Sequence, residues 1–193
     1  MLLPSLLVGA LVTPDPTAWT RPVSVDVHFG SSTAPFGALG LSATYTPHPA
    51  VGFELGAGYQ YGTNDGLQAA GLVHAQVGDE RVHFGIAAGV SRGRYRDDPN
   101  CQTGGAFVVP GGCAAVYTGP ALRLDAAWAA RGQLEIDVRT LAGFHARLAA
   151  GVGHVLNADG EFRCEAQPGW PNDCTREKKR TRPYFDLALG WAF

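Results

Sequence analysis

Large apolar residues recur at every second position in eight separate segments of this chain, with small or polar residues between them. Val23–Phe29 sets Val23, Val25, Val27 and Phe29 against Ser24, Asp26 and His28. Val51–Tyr61 sets Val51, Phe53, Leu55, Ala57, Tyr59 and Tyr61 against Gly52, Glu54, Gly56, Gly58 and Gln60. The same period runs through Leu39–Tyr45, Leu67–Val77, Val82–Ser91, Leu122–Trp128, Leu134–Thr140 and the final Tyr184–Phe193. A period of two is the signature of a strand with one apolar face. Helical periodicity is scarce, and no apolar run reaches the roughly 18 residues of a membrane helix.

The connectors alternate in character. Thr46–Ala50, Gly78–Arg81 and Ala130–Gly132 read as tight turns, whereas Ser31–Pro35, Gly62–Gly66, Arg92–Val116 and Asn157–Arg182 read as loops, the last two long. Short turns at one end and longer loops at the other predict an all-β, eight-stranded, up-and-down antiparallel barrel. Leu134–Leu156 keeps its alternation for 23 residues, far more than a bilayer requires. Either that strand projects beyond the membrane, or a hairpin near Ala142–Gly143 adds strands and raises the count to ten. Eight is the preferred number.

Alternation alone does not say which face meets water. The polar face is built mostly from Gly, Ala, Ser and Thr, and the first Lys in the chain is Lys178. A water-facing surface carries scattered Lys and Glu, whereas small side chains suit the crowded lumen of a narrow barrel. The large apolar face therefore points to lipid, making the barrel transmembrane. The aromatic residues support this. Tyr45, Phe53, Phe84, Trp128, Trp191 and Phe193 map to the short-turn end. Phe29, Tyr59, Tyr61, Tyr95, Tyr117, Phe144 and Phe185 map to the long-loop end. Aromatic belts at both interfaces are a property of membrane barrels.

The eight alternating segments and the terminal YFDLALGWAF resemble the small outer-membrane β-barrels of Gram-negative bacteria, the OmpA/OmpX-like class, over residues 22–193. The resemblance implies the cell outer membrane, with the lipid bilayer and lipopolysaccharide as surroundings. The ending is similar to the signal read by the barrel-assembly machinery. It would comprise a polar Tyr184 or Asp186, apolar Phe185, Leu187 and Leu189, then Gly190, Trp191 and the terminal aromatic Phe193. The class includes adhesins, structural proteins and lipid A-modifying enzymes, so the resemblance carries architecture more than activity.

Residues 1–18 read as a signal peptide with a small-residue site at Val8-Gly9-Ala10, which leaves a barrel domain at 19–193. Cys101, Cys113, Cys164 and Cys174 form an even set in an apparently exported chain, which predicts disulfides. Three connectivities are possible. The local pairs Cys101–Cys113 and Cys164–Cys174 are favoured, because each lies within one loop. Their spacing does not suit zinc, and no metal or cofactor is expected.

The inward face is predicted to carry Asp26, Glu54, Arg123, Asp125, Glu135, Asp137, Arg139 and Asp186. The segments LRLD and LEIDVR, taken as neighbouring strands, would bring Arg123 and Arg139 against Asp125, Glu135 and Asp137. A salt-bridged plug of the lumen is the favoured reading. A proton or ion path is the second, and a catalytic carboxylate pair the third. No His-x-Ser occurs, and only His48 and His154 are not predicted to point inward, so no enzyme is expected. The run Thr175–Arg182 sets Arg176, Lys178, Lys179, Arg180 and Arg182 against Glu177 and suits lipopolysaccharide phosphates. Trp170 lies between Pro168 and Pro171 in the same loop and is a candidate contact for an extracellular partner of unknown identity. A net charge of −2 speaks against nucleic acid. The expected function is a non-enzymatic structural or surface-interaction protein, with a narrow channel as the alternative and a lipid-modifying enzyme behind it.

Overall fold

The computed structural model describes residues 21–61, 66–79, 81–97, 121–157, 163–165 and 180–193, without the side chains of 96, 97, 121–123, 125 and 163–165. The signal-peptide reading, Cys101, Cys113, Cys174, Trp170 and Tyr117 lie outside the described residues. The strands are β1 (Val23–Gly30), β2 (Leu39–His48), β3 (Val51–Gln60), β4 (Gly66–Gly78), β5 (Val82–Asp97), β6 (Ala121–Arg139), β7 (Phe144–Val155), β8 (Arg163–Glu165) and β9 (Thr181–Ala192). Each of the long strands pairs antiparallel with its chain neighbours, and β9 closes on β1. The result is a closed eight-stranded up-and-down barrel. The short β8 lies on the end of β6 above it, opposite Ala121–Arg123.

The burial pattern is that of a soluble protein turned inside out. Asp26, His28, Glu54, His74, Glu135, Asp137, Arg139, Arg147 and Asp186 are all buried, while Leu41, Leu55, Leu67, Phe84, Ile86 and Leu134 stand exposed on the outside. Closure makes such an outer face compatible with hydrocarbon, because a strand edge there would leave N–H and C=O groups unpaired. The seam is well fastened. Val25 faces Trp191, Val27 faces Leu189, and the N–H of Phe193 donates to the carbonyl of Val23 at 2.8 Å.

The expected turn at Ala130–Gly132 is not there. β6 runs straight through it, and the chain reverses at residues 140–143 instead. Gly143 has φ +106°, a conformation that favours glycine, and its N–H donates to Thr140 O at 3.0 Å. The Thr140 N–H donates to Phe144 O at 2.8 Å. A four-residue turn preserves parity, so outward positions stay even-numbered from Leu134 through Phe144 to Val152. Alternation therefore passed through the hairpin unbroken. This hairpin replaces the expected turn and leaves the number of barrel strands at eight. LRLD and LEIDVR become two ends of one strand. Arg123 and Arg139 are thus about 50 Å apart at ~3.3 Å per residue, not side by side.

The same shift corrects the aromatic map. Phe144 pairs with Trp191 at the short-turn end, and Trp128 moves to the long-loop end, opposite Arg92. Tyr95 leaves the outer belt. It keeps the inward parity of His83, Ala87 and Ser91. A register shift opposite Gly93–Tyr95 adds one residue to β6 and turns Leu124 inward, so that Tyr95 packs with Leu124, Ala127 and Val155 at the mouth of the lumen. The remaining girdles are Tyr45, Phe53, Phe84, Phe144, Trp191 and Phe193 at one end and Phe29, Tyr61, Trp128 and Phe185 at the other. At the short-turn end, Asp79 Oδ1 accepts the N–H groups of Arg81 and Val82 at 2.9 and 2.8 Å. Those bonds hold its carboxyl below the usual carboxylate range.

An apolar outer face suited to lipid has a measurable consequence. Leu55 sits mid-strand in β3 and is 72% exposed. Leu55→Arg is expected to lower unfolding stability in lipid vesicles by about 2–4 kcal/mol, read from urea titrations. At a water-facing site the same change would stay within about 0.5 kcal/mol, and a value that small would exclude lipid contact there.

Candidate functional site

The lumen holds two layers. The first is a polar network on the short-turn side of its centre, organised around Glu54. Glu54 is fully buried on β3, opposite Thr44 and Leu72 of the neighbouring strands. Its Oε1 accepts hydrogen bonds from the Arg147 guanidinium on β7, across the lumen, and from Ser42 Oγ at 2.7 Å. Its Oε2 lies 3.0 Å from His74 Nε2. The other nitrogen of His74 meets both oxygens of Glu135, at 2.9 and 3.0 Å, and Gln133 Nε2 donates to Glu135 at 3.2 Å.

Two further histidines repeat this arrangement. His28 Nδ1 lies 2.6 Å from Asp186, while its Nε2 lies 2.8 Å from Ser42 Oγ and 3.3 Å from Glu54. His145 places Nε2 2.5 Å from Asp26 and Nδ1 3.4 Å from Asp137, which also pairs with Arg139 Nε at 3.5 Å. The Asp26–His145 contact has ion-pair distance without hydrogen-bond alignment. Gly190 makes it possible, because a Cβ there would collide with both side chains. Each of the three imidazoles thus bridges two carboxylates.

Of the eight expected lumen residues, the structure brings Asp26, Glu54, Glu135, Asp137, Arg139 and Asp186 into this network. The backbones of Arg123 and Asp125 lie at the far end of β6, and their side chains lie outside the described atoms. Arg147, the central cation, was missing from the expected set, as was the bridging role of the histidines. The signal for Arg147 was parity. His145, Arg147 and Ala149 alternate with Phe144, Ala146 and Leu148, and that marks an inward strand once the hairpin is placed.

The second layer is a plug. Residues 31–38 between β1 and β2 fold into the barrel, burying Ala34, Pro35 and Phe36. The Phe36 ring lies 4.4 Å from the His28 ring and packs with Ala70, Leu72 and Ala87. It fits because Gly40, Gly56 and Gly58 have no side chains; a Cβ at any of them would strike Phe36. Gln68 Nε2 donates to the carbonyls of Ala34 and Pro35 at 2.7 and 2.6 Å, and Thr33 Oγ1 donates to Pro183 O at 3.0 Å.

Asp26, His28 and Glu54 lie close enough together to contact one cation. The chemistry does not fit one, because Glu54 already holds Arg147, His74 and Ser42. A dication there would sit against a guanidinium. On the outside, His154 Nδ1 lies 2.7 Å from Thr181 Oγ1. No carboxylate among the described residues orients that imidazole, so the pair lacks the third member of a nucleophile–base set.

No protein-family model and no curated protein matches the sequence. Among solved structures, the N-terminal β-barrel domain of Pseudomonas aeruginosa OprF superposes with a TM-score of 0.56. The match covers 89% of this chain and 96% of that one at 11% identity. The two share a fold: a closed eight-stranded barrel of the outer-membrane type.

The network's energetics can be measured. Arg147→Met leaves Glu54 short of its main partner in a buried site, and a loss of about 3–5 kcal/mol is expected. Glu54→Gln in the same chain should recover part of it, since the two sites share one interaction. Urea unfolding of the two single variants and the double variant gives the coupling. Strict additivity would mean the pair contributes nothing.

Proposed function

We propose that this chain is a non-enzymatic outer-membrane protein whose lumen is closed, and which acts through envelope structure and surface contacts at its long-loop end. The single observation that carries this reading is the double filling of the lumen: the Glu54–Arg147 network below and the Phe36 plug above. A narrow barrel of about eight strands has room for side chains only, and here they are paired or packed. Transport through it would require Glu54 to release Arg147 and residues 31–38 to withdraw.

The surroundings follow from the same reading. Lipid covers the apolar belt between the two aromatic girdles. Arg180 immediately precedes β9 and Arg182 is its second residue, at the long-loop end, where lipopolysaccharide phosphates would lie within reach of basic side chains. The terminal Phe185, Leu187, Leu189, Gly190, Trp191 and Phe193 would be read by the barrel-assembly machinery before the seam closes. Disulfides Cys101–Cys113 and Cys164–Cys174 would staple the two long loops, each closing a ring worth roughly 3 kcal/mol in the chain-entropy model. An extracellular partner would bind there.

Planar-bilayer recording tests the closed lumen directly. The refolded chain is expected to insert and stay electrically silent. Steady unitary currents would overturn the reading and favour a narrow channel. Unchanged lipid A mass spectra from overexpressing cells are the expected result for a barrel without enzymatic activity.

A further inference from the structure

Arg131 is a half-buried guanidinium with no carboxylate beside it among the described residues. It lies mid-strand in β6, opposite Gly89 and Gly153, and a side chain at Gly153 would strike its guanidinium. Its Nε donates to Ser91 Oγ at 2.8 Å, and its Nη1 donates to Thr33 O in the plug. The Tyr184 ring lies 5.5 Å from the guanidinium carbon. All three partners are neutral. Arg147 and Arg139, the other two lumen guanidiniums described, each have a carboxylate.

A cation held away from water without a counter-charge is costly. The structure places an opening beside this one. A partly open cleft at the long-loop mouth is lined by Arg131, Arg94, Arg180 and Arg182, with Ser91 and Gln68 among its polar groups. No Asp or Glu is among its described lining residues. Arg182 also stacks at 4.8 Å on the Tyr95 ring. The three outer arginines make other contacts, so the inference rests on Arg131, and they add field. Arg131 carries five N–H donors, and the two bonds above leave the others for a ligand.

We propose that the long-loop mouth of the barrel is a binding site for an oxyanion of the phosphate or sulfate class, seated on Arg131. Planar guanidinium forks match the oxygens of such anions, and the surrounding arginines draw them into a confined cleft. The plug is part of the site, because Thr33 O fixes one arm of the guanidinium. Either free inorganic phosphate or the phosphate of an anionic solute offers the required chemistry. This site stands whether or not the lumen below conducts.

The test is calorimetric titration of the refolded full chain in a zwitterionic detergent. Sodium phosphate and glycerol phosphate are titrated separately, at matched ionic strength in sodium chloride. Saturable phosphate binding is expected in the wild type, and Arg131→Gln is expected to weaken it about tenfold or more. Tighter binding of glycerol phosphate would assign the site to an organic solute, and equal or weaker binding would assign it to the free ion. No saturable binding of either compound by the wild type would overturn the proposal, as would undiminished binding by Arg131→Gln. Should that variant fail to give the heat-modifiable band of a folded barrel, Ser91→Ala and the wild-type melting midpoint decide. Phosphate should raise the midpoint beyond equal-strength chloride, and Ser91→Ala should reduce that rise. A midpoint that chloride raises equally would reject the site.

Discussion

The Glu54 carboxylate, held by Arg147 from the opposite wall, is the interaction on which the rest of the barrel depends. It gathers side chains from β1, β2, β4 and β7 onto one residue of β3. A barrel in lipid cannot draw its specificity from burying apolar groups inside, since its apolar face already points outward. What distinguishes the correct strand register is the cost of error. A slip of one residue would turn Glu54 to hydrocarbon and Leu55 into the lumen. Each charged inward residue adds a similar penalty, so the network acts as a lock on register as well as a source of pairing energy.

Charge accounting explains the three histidines. The described network has five carboxylates, Asp26, Glu54, Glu135, Asp137 and Asp186, and two guanidiniums, Arg139 and Arg147. Three negative charges remain (five minus two), matched in number by His28, His74 and His145. Each imidazole faces a carboxylate with both ring nitrogens. The histidines are therefore working members of the network, each placed between two acids.

The barrel itself was legible in the sequence because lipid leaves one pattern available: period two, large outside and small or polar inside. The ends of the elements were less legible. Turns are marked by Gly, Pro, Asn and Asp, and the 140–143 hairpin offers only Gly143, while Gly132 gave the same local signal inside a strand. Parity could not separate them, because both segments keep even residues outward. That one ambiguity displaced Arg147 from view, put Arg123 beside Arg139, and exchanged the ends of Trp128 and Phe144. The plug was hidden for another reason. Phe36 lies in a stretch with ordinary loop composition, and its seat is spread over Gly40, Gly56 and Gly58 on two strands. Those glycines read individually as permissive lumen positions. Only the fold shows that they vacate one continuous space.

The position of Phe36 divides the lumen into environments of opposite electrostatic character. Below the ring, every guanidinium described has a carboxylate beside it. Above it, Arg131 has none among the described residues, and the described wall of the cleft is cationic. Side chains between the two layers keep the lower carboxylates out of contact with Arg131: Phe36 rests on His28, and the Tyr184 ring lies beside Arg131 with its hydroxyl donating to Gln133 at 3.0 Å. Phe36 and Tyr184 are the two largest fully buried side chains among the described residues. The same packing that closes the barrel thus isolates a positive charge at its mouth, and a charge so isolated draws its counter-ion from the outside.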